Sequence, residues 1–454
     1  MGKIINGYIF DELDKEYTFT YDGELLQLVP SHKEEIKPYD FLNNILVEKE
    51  LLKGTTTQNR NIFFLKCRLQ RNNSGYIAKP IGYICFDGEN STYRTIVFKG
   101  EAVNFFYRPN QILDEASEYP WDNDGGGKLI IKKFSEITRQ KEVWLAGEKC
   151  NFVVSITRPE FPEQMTCCYS LGQPHSFIRL EFQKDVPVEK FAEVYMTIHH
   201  LLEFVFFKKD IYVEHIELGV FNEEQKIHRN AEVHLLHKKD LELENPNSVI
   251  GYYFIEDGLN ELLQILNGKK LNFLFIPENE KDDRYLDPQK YVTCCSSFES
   301  VFNFAFPDAK TMENNKMKEA KASILNFIAD KDEEFKGNDG AIRKEYRSLK
   351  RIIELADFSL ADKYKWCLKK YWSYIEEFCK IVYQKMNLTE EQIKDIPERL
   401  AFKRNVLIHS NIEELELEEI AAYQILRYMI YVIILDKCGI NQNTVKNAID
   451  CILR

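Results

Sequence analysis

The sequence predicts an α+β protein of two domains: a β-rich, sandwich-like N-terminal domain with one helix, then an all-α helical bundle. Up to about residue 285, short segments rich in β-branched and aromatic residues alternate with Asp-Gly, Asn-Asn and Pro turn signals. After about residue 290, apolar residues recur at helical spacing. A polar stretch at residues 277–288 separates the two patterns. We therefore expect domains at residues 1–285 and 290–454, which the length of 454 residues allows.

Six segments of the first half have the composition of β-strands, and their spacing is typical of a sandwich or an open barrel. These segments are residues 17–21, 62–65, 81–86, 95–98, 129–131 and 152–156. The period becomes helical at residues 188–207, and strand-like residues 211–213 and 216–218 follow before a short helix at 257–266. The Gly-rich tract at residues 122–127 lacks the ending of a phosphate loop, so we expect a hairpin tip there.

Six helices are predicted in the second half. They are residues 298–305, 316–329, 341–355 and 363–385, a helix that begins at Pro397, and a last helix at residues 411–439. Pro397 is assigned to a first turn because proline is favoured there. Asn411, with Glu414 three residues later, has the form of a capping box that would begin the last helix. The fifth helix must then end near His409.

Composition predicts a cytoplasmic protein without a cofactor or a structural metal. The eleven cysteines show no Cys-x2-Cys spacing, so free thiols in a reducing compartment are expected. His199 and His200 have no accompanying metal-ligand set. The first residues lack a signal-peptide core, and the longest apolar run, residues 428–435, is too short to span a membrane.

The charge is unevenly distributed. A net charge of −12 argues against a general nucleic-acid coat. Residues 343–370 nevertheless form a locally basic run. Such a run is typical of a solvated helix face, and it also suits contact with a phosphate backbone, so both interpretations stay open.

The residues with the clearest chemistry are Arg404, Asn405 and His409. Histidine can take and give a proton near neutral pH, and arginine is a permanent cation suited to a phosphate that gains negative charge. At a helix C-terminus the dipole favours imidazolium, which would make His409 a ready proton donor. A structural role is the alternative, in which Arg404 pairs with the acidic residues 413–419 and His409 caps carbonyl groups.

The same Arg-Asn-x3-His pattern occurs a second time, at Arg229, Asn230 and His234. This copy lies in a segment with the composition of a strand. Because residues five apart on a regular strand point to opposite faces, we expect no shared site there. The pattern alone therefore does not decide function, and only the copy at Arg404, Asn405 and His409 has a helical context.

The helical copy resembles the Arg-x4-6-His motif of HEPN ribonucleases, in which a polar residue directly follows the arginine. Arg404, Asn405 and His409 fit that order late in a bundle of about five helices. Some HEPN ribonucleases have Tyr two places after the His. Asn411 stands there in this chain, so no third catalytic side chain carries over.

Most of the chain is similar to the ApeA type of bacterial anti-phage HEPN proteins, which join a β-rich N-terminal domain to a C-terminal HEPN domain. Residues 297–302, with Glu299 in an apolar setting, are similar to the family's opening helix. Residues 201–214 are similar to the end of its N-terminal domain.

The resemblance implies a metal-independent endoribonuclease of anti-phage defence by abortive infection, toxic when active, with tRNA as one candidate substrate. It also implies a homodimer in which two Arg404–His409 pairs share one cleft. One His409 would assist attack by the RNA 2′-OH on the adjacent phosphate, and the other would protonate the leaving 5′ oxygen. Arg404 would stabilise the phosphorane, and Asn405 would orient His409 or a phosphate oxygen.

The N-terminal domain would then sense a phage-derived trigger or restrain the nuclease. A non-catalytic HEPN module is the alternative from a different class. It would bind a nucleotide or a partner protein, and Arg404 and His409 would be structural. The polar residue after the arginine favours the nuclease.

Overall fold

The structure is a computed structural model that describes residues 4–10, 16–31, 47–72, 75–88, 90–109, 117–118, 130–131, 137–157, 174–222, 224, 226–236, 248–267, 271, 273–307, 315–336, 340–355, 359–409 and 414–453. Its first half is rich in β-strands and its second half is helical. The α+β composition predicted from the sequence is therefore confirmed. The chain divides into two compact units, Met1–Asn267 and Gly268–Arg454.

The first unit contains fifteen strands among its described residues. They are β1 Ile5–Ile9, β2 Tyr17–Tyr21, β3 Leu26–Pro30, β4 Val47–Thr56, β5 Asn61–Asn72, β6 Gly75–Ala78, β7 Gly82–Phe86, β8 Thr92–Lys99, β9 Ser117–Glu118, β10 Ile130–Ile131, β11 Ile137–Leu145, β12 Glu148–Thr157, β13 His175–Pro187, β14 His215–Phe221 and β15 Ile227–Leu235. Its helices are α1 Glu101–Phe106, α2 Phe191–Phe206, α3 Tyr252–Ile255 and α4 Leu259–Asn267.

Six of these strands close an antiparallel barrel. They pair in the order β5-β4-β1-β2-β3-β6, and β6 pairs back onto β5. On the edge of β5 opposite β4, residues 70–72 pair with β6 while residues 62–65 pair with β7, from which an antiparallel sheet continues in the order β7-β15-β14-β8-β13-β12-β11. The strands thus form a barrel joined to a sheet rather than the predicted sandwich, because β5 has neighbours in both.

The barrel closes around an apolar core supplied by alternate residues of its strands. In β2, for example, Tyr17, Phe19 and Tyr21 are buried, as expected for a strand with one face inward. Gly7 in β1 allows the ring of Phe19 to approach, since a Cβ atom at that position would lie 2.5 Å from the ring carbon Cε1. A larger residue there would push Phe19 out of the core.

Most local predictions for this unit are confirmed. Residues 17–21, 62–65, 95–98 and 152–156 lie in strands, and the predicted helix 188–207 is a 3-10 turn, Val188–Lys190, followed by α2. The strand-like segment 211–213 is wrong, because it pairs in no ladder although Ile211 and Val213 are buried. The Gly-rich tract 122–127 lies outside the described residues.

The second unit is helical. Its helices are α5 Glu280–Asp283, α6 Pro288–Ala305, α7 Asn315–Glu334, α8 Gly340–Leu355, α9 Leu360–Lys385, α10 Glu390–His409, α11 Leu417–Lys437 and α12 Gln442–Leu453. The predictions for residues 316–329, 341–355 and 363–385 are confirmed within a few residues. Helix α12 was not predicted.

Two predicted helix starts are wrong. Helix α10 begins at Glu390, and Pro397 lies inside it. The side chain of Thr389 accepts a hydrogen bond from the backbone N–H of Gln392 at 3.3 Å, and the Gln392 side chain accepts one from the Thr389 N–H at 2.9 Å. This reciprocal cap, which starts eight residues before the proline, begins the helix.

The last long helix begins at Leu417 with Glu416 as its cap, not at Asn411, which lies outside the described residues. From Ala421 to Leu435 every side chain except the half-buried Gln424 is buried, so α11 is the centre of the unit. Helices α6, α9, α10 and α12 contact it. None of the helices in the described part of the chain is long and apolar enough to cross a membrane.

Candidate active site

The predicted site residues lie at the C-terminal end of α10. His409 is the last described residue of the helix, and Arg404 and Asn405 lie in the preceding turns. The backbone position of His409 is four residues past Asn405, so the two positions share one helix face. The His409 side chain is outside the described part of the structure.

Arg404 is held by two partners. Its Nη2 donates to Glu299 Oε2 of α6 at 3.1 Å, and its Nη1 donates to Asn405 Oδ1 at 3.0 Å. Asn405 therefore orients the arginine here. The side chain of Arg404 keeps 30% of its surface exposed. The guanidinium is thus fixed in direction while part of it faces solvent.

Glu299 binds a second cation from a third helix. Lys363 of α9 places its Nζ 3.5 Å from Glu299 Oε1, and the lysine side chain is only 7% exposed. The same Nζ lies 5.8 Å from the centre of the Phe302 ring. One carboxylate therefore faces two cations, which leaves one net positive charge in this cluster.

The thiol of Cys295 lies near this cluster, one helical turn before Glu299. Burial raises the pKa of Cys295 well above its ordinary value, and the neighbouring Cys294 and Glu299 raise it further, while Arg404 opposes them. The thiol is therefore protonated at neutral pH. It contributes packing to the site and not a nucleophile.

Arg404 has donors left over. A guanidinium carries five N–H groups, and two of them bind Glu299 and Asn405. The Nε atom is buried and has no hydrogen-bond partner among the described residues. Since each Nη carries two hydrogens and donates one of these bonds, one N–H on each has no partner within the described part of the chain and can bind an anion. A guanidinium with N–H donors left over can bind a phosphate oxygen. A guanidinium whose donors are all used in a structural ion pair is less suited to do so.

The acidic run after α10 pairs with a different arginine. Arg399 Nη1 lies 3.3 Å from Glu418, its Nε lies 3.3 Å from Glu419, and its Nη2 also binds Glu416. The structural alternative, in which Arg404 pairs with this run, is thus wrong for Glu416, Glu418 and Glu419. Arg404 is left to Glu299, which lies 105 residues earlier in the chain.

The copy of the pattern at Arg229 and His234 does not have the geometry predicted for it. The β14–β15 register shifts between Leu218 and Gly219, so Asn230 forms a β-bulge. Because of this extra residue, Arg229 and His234 reach the same carboxylate: Arg229 Nη1 lies 2.8 Å from Glu232 Oε1, and His234 Nε2 lies 3.4 Å from Glu232 Oε2. The expectation that the two point to opposite faces is wrong.

The basic run at residues 343–370 is largely paired within the chain. Arg343 and Arg347 of α8 each lie 3.0 Å from Asp332 of α7, and Lys365 binds Glu398. The ammonium of Lys370 lies 4.7 Å from the centre of the Phe306 ring. These contacts fit helix packing better than a continuous phosphate-binding row.

Sequence analysis placed Arg404, Asn405 and His409 together but missed the role of Lys363. In the sequence, the one signal of this role is that Lys363 occupies a buried position of the amphipathic α9.

Among the described residues no group of three or more His, Cys, Asp or Glu side chains is placed to hold a metal ion. In the comparisons with known proteins, no family model, no curated protein and no solved structure matches the chain.

Proposed function

We propose that the chain is a metal-independent endoribonuclease of the HEPN type that acts in bacterial anti-phage defence. The observation that supports this best is the state of Arg404, which is fixed by Glu299 and Asn405 and still has N–H donors left. His409 follows it at the helix C-terminus. The resemblance of the motif to HEPN ribonucleases supplies the substrate class, RNA, with tRNA as a candidate.

The proposed reaction is transfer of a phosphate ester within the RNA. The 2′ oxygen attacks the adjacent phosphorus while His409 of one copy accepts its proton. The bond from phosphorus to the 5′ oxygen breaks, and His409 of a second copy donates the proton that the leaving oxygen needs. The products are a cyclic 2′,3′-phosphate and a free 5′ hydroxyl.

Arg404 would stabilise the negative charge that develops on the phosphorane oxygens. A guanidinium that Glu299 already orients reorganises little when that charge appears, which is the condition for strong electrostatic stabilisation. One Arg–His pair is too sparse to supply an acid, a base and the phosphate contacts. This is why we propose a homodimer with a shared cleft.

The test is cleavage of total RNA by the purified full-length chain in the presence of EDTA. His409→Ala and Arg404→Ala should each lose at least about 100-fold in rate. His228→Ala and Arg68→Ala, which alter exposed residues of the first unit, are matched controls that should cleave as the wild type does. Wild-type protein that binds RNA without cleaving it would favour the non-catalytic module.

The shared cleft has its own test. Mixing wild type with an excess of Arg404→Ala should lower the rate below simple dilution, because each heterodimer holds only one complete pair. A monomeric chain that cleaves at a rate linear in protein concentration would refute the shared cleft and leave the chemistry in place. The apolar sequence of α11 offers Leu426, Met429, Ile430, Ile433 and Ile434 as contacts for such a dimer. All five are buried within the single chain, so they belong to its core.

A further inference from the structure

A pocket in the first unit lies outside the proposed nuclease site. It forms where residues 4–6, the β4–β5 turn at residues 56–60 and the outer face of β7 and β15 meet. Its volume is about 480 Å³. This is within the range of about 300–1,000 Å³ that small-molecule sites occupy.

Two stacked rings line the pocket. Tyr83 of β7 and His234 of β15 are directly opposite in the strand register, and their ring centroids are 4.6 Å apart with the planes inclined by 23°. Tyr83 also meets Tyr21 of the barrel core edge-on at 5.5 Å. The pair is therefore anchored from below, while the His234 side chain remains 49% exposed. An exposed ring on an anchored partner is a platform on which another flat ring can stack.

Two carboxylates reach the same pocket. Asp87 lies 3.4 Å from Arg60, and Glu232 lies 2.8 Å from Arg229. Each carboxylate has about four acceptor positions, so Arg60 at Asp87, and Arg229 and His234 at Glu232, leave room for further donors. Arg229 does not line the pocket, so the lining carries two carboxylates and one arginine, Arg60, and it favours a ligand that donates hydrogen bonds over an anion.

From these features we infer that the pocket binds a nucleoside whose base carries an exocyclic amino group. The base would stack on His234, and its amino group would donate to Glu232 or Asp87. The side chains of Ile4 and Ile5 add apolar lining for the ring or the sugar. Unpaired bases are recognised in this way, by aromatic stacking and hydrogen bonds to their edges. This inference does not depend on the proposed nuclease.

Calorimetric titration of the full-length chain with single nucleosides tests the inference. Cytidine and uridine form a matched pair, because they differ by an amino group and an oxo group at one ring carbon. Cytidine, and guanosine or adenosine with their own amino groups, should bind about tenfold more tightly than uridine, the usual worth of a hydrogen bond to a charged group. Equal binding of uridine and cytidine, or equally tight binding of ribose 5-phosphate, would overturn the inference, because neither uridine nor ribose 5-phosphate carries an amino group on a base.

Variants locate the binding. His234→Ala removes the platform, and Glu232→Gln replaces an acceptor by a donor, so each should weaken nucleoside binding by about tenfold. His228→Ala, an exposed histidine on the same strand outside the pocket, should leave it unchanged. All three substitutions are at the surface, and unchanged melting temperatures will show that the fold is kept. Binding that persists in both pocket variants contradicts the site.

Cys85 gives a second, independent measurement. Its half-buried thiol lines the pocket, whereas the equally half-buried Cys451 lies in α12 of the other unit. A saturating nucleoside should slow alkylation of Cys85 and leave that of Cys451 unchanged, as followed by site-resolved mass spectrometry. Equal rates for Cys85 with and without a bound nucleoside would place the ligand elsewhere.

Discussion

Replacing Glu299 by Gln should destabilise the helical unit more than its partial exposure suggests. The carboxylate is 23% exposed, but its partner Lys363 is 7% exposed and comes from another helix. Glu299→Gln keeps the shape and removes the charge. The lysine ammonium is then buried without a carboxylate, a situation that costs far more than the loss of a surface ion pair.

The expected size follows from the burial of the two partners. Breaking a fully buried pair costs about 3–5 kcal/mol. Because Glu299 is partly exposed and glutamine still offers a carbonyl oxygen, we expect about 2 kcal/mol. For a unit of this size that corresponds to a fall in melting temperature of roughly 4–8 °C.

Differential scanning calorimetry of the full-length chain measures this change, and hydrogen exchange of α6 and α9 peptides assigns it. Glu398→Gln is the matched control, because Glu398 and its partner Lys365 are 59% and 48% exposed, and its loss should cost less than about 1 kcal/mol. Adding Lys363→Met to Glu299→Gln should restore most of the stability, since the buried ammonium is then gone and the remaining cation, Arg404, keeps 30% of its side chain exposed to solvent. If the two substitutions simply add, the burial argument is wrong.

Three further outcomes are expected. The Arg343 guanidinium, aided by Arg347, lowers the pKa of Asp332. The α7–α8 contact should therefore be fully stabilised above the unfolded pKa of Asp332, about 4, and weaken as pH falls through its lower folded pKa. Asp332→Asn should raise amide exchange in both helices at neutral pH and have no such effect in acid. Burial raises the pKa of Cys294 to about 12, so iodoacetamide at neutral pH should label it only after unfolding, as mass spectrometry can show. Leu426→Ala should cost about 3 kcal/mol in urea unfolding, because a fully buried leucine leaves a cavity.

Local signals predicted the helices and strands of this chain better than they predicted where a helix begins or which strands pair. Strand β2 and helices α8 and α9 follow from composition and periodicity, which act within one segment. The start of α10 was wrong because the proline at position 397 outweighed the Thr389–Gln392 cap. A proline can lie inside a helix when neighbouring turns pack well enough, and here Pro397 is buried.

Closure of the barrel has no local signal. It depends on β6, a strand of four residues, which pairs with both β3 and β5. The β5–β6 pairing is a hairpin between neighbouring strands, whereas the β3–β6 pairing that closes the barrel is long-range, joining Leu26 to Ala78; neither pairing changes the alternation of its own strand. The same alternation therefore fits a sandwich, an open barrel or a closed one, and only the set of neighbours separates them.

In the candidate site, too, local features could be predicted from the sequence and long-range contacts could not. Sequence analysis could place Arg404 and His409 on one helix end, because spacing and helix length are local properties. It could not assign the carboxylates, since Arg399 and Arg404 lie close together and acidic residues precede and follow them. Packing gives the nearby acidic run to Arg399 and the distant Glu299 to Arg404.

The two Arg-Asn-x3-His segments have identical spacing, so the differences between them come from their structural context. In β15 the bulge at Asn230 brings Arg229 and His234 to one carboxylate on the sheet surface, where the arginine side chain is 51% exposed. In α10 Arg404 is oriented by Glu299, and its Nε is buried. A phosphate gains more from a guanidinium that is already oriented, since less side-chain freedom is lost on contact. Both arginines pair with a carboxylate, so the two copies differ in burial and in the origin of that carboxylate: Glu232 lies within its own segment, whereas Glu299 comes from another helix and holds an arginine that is only 30% exposed.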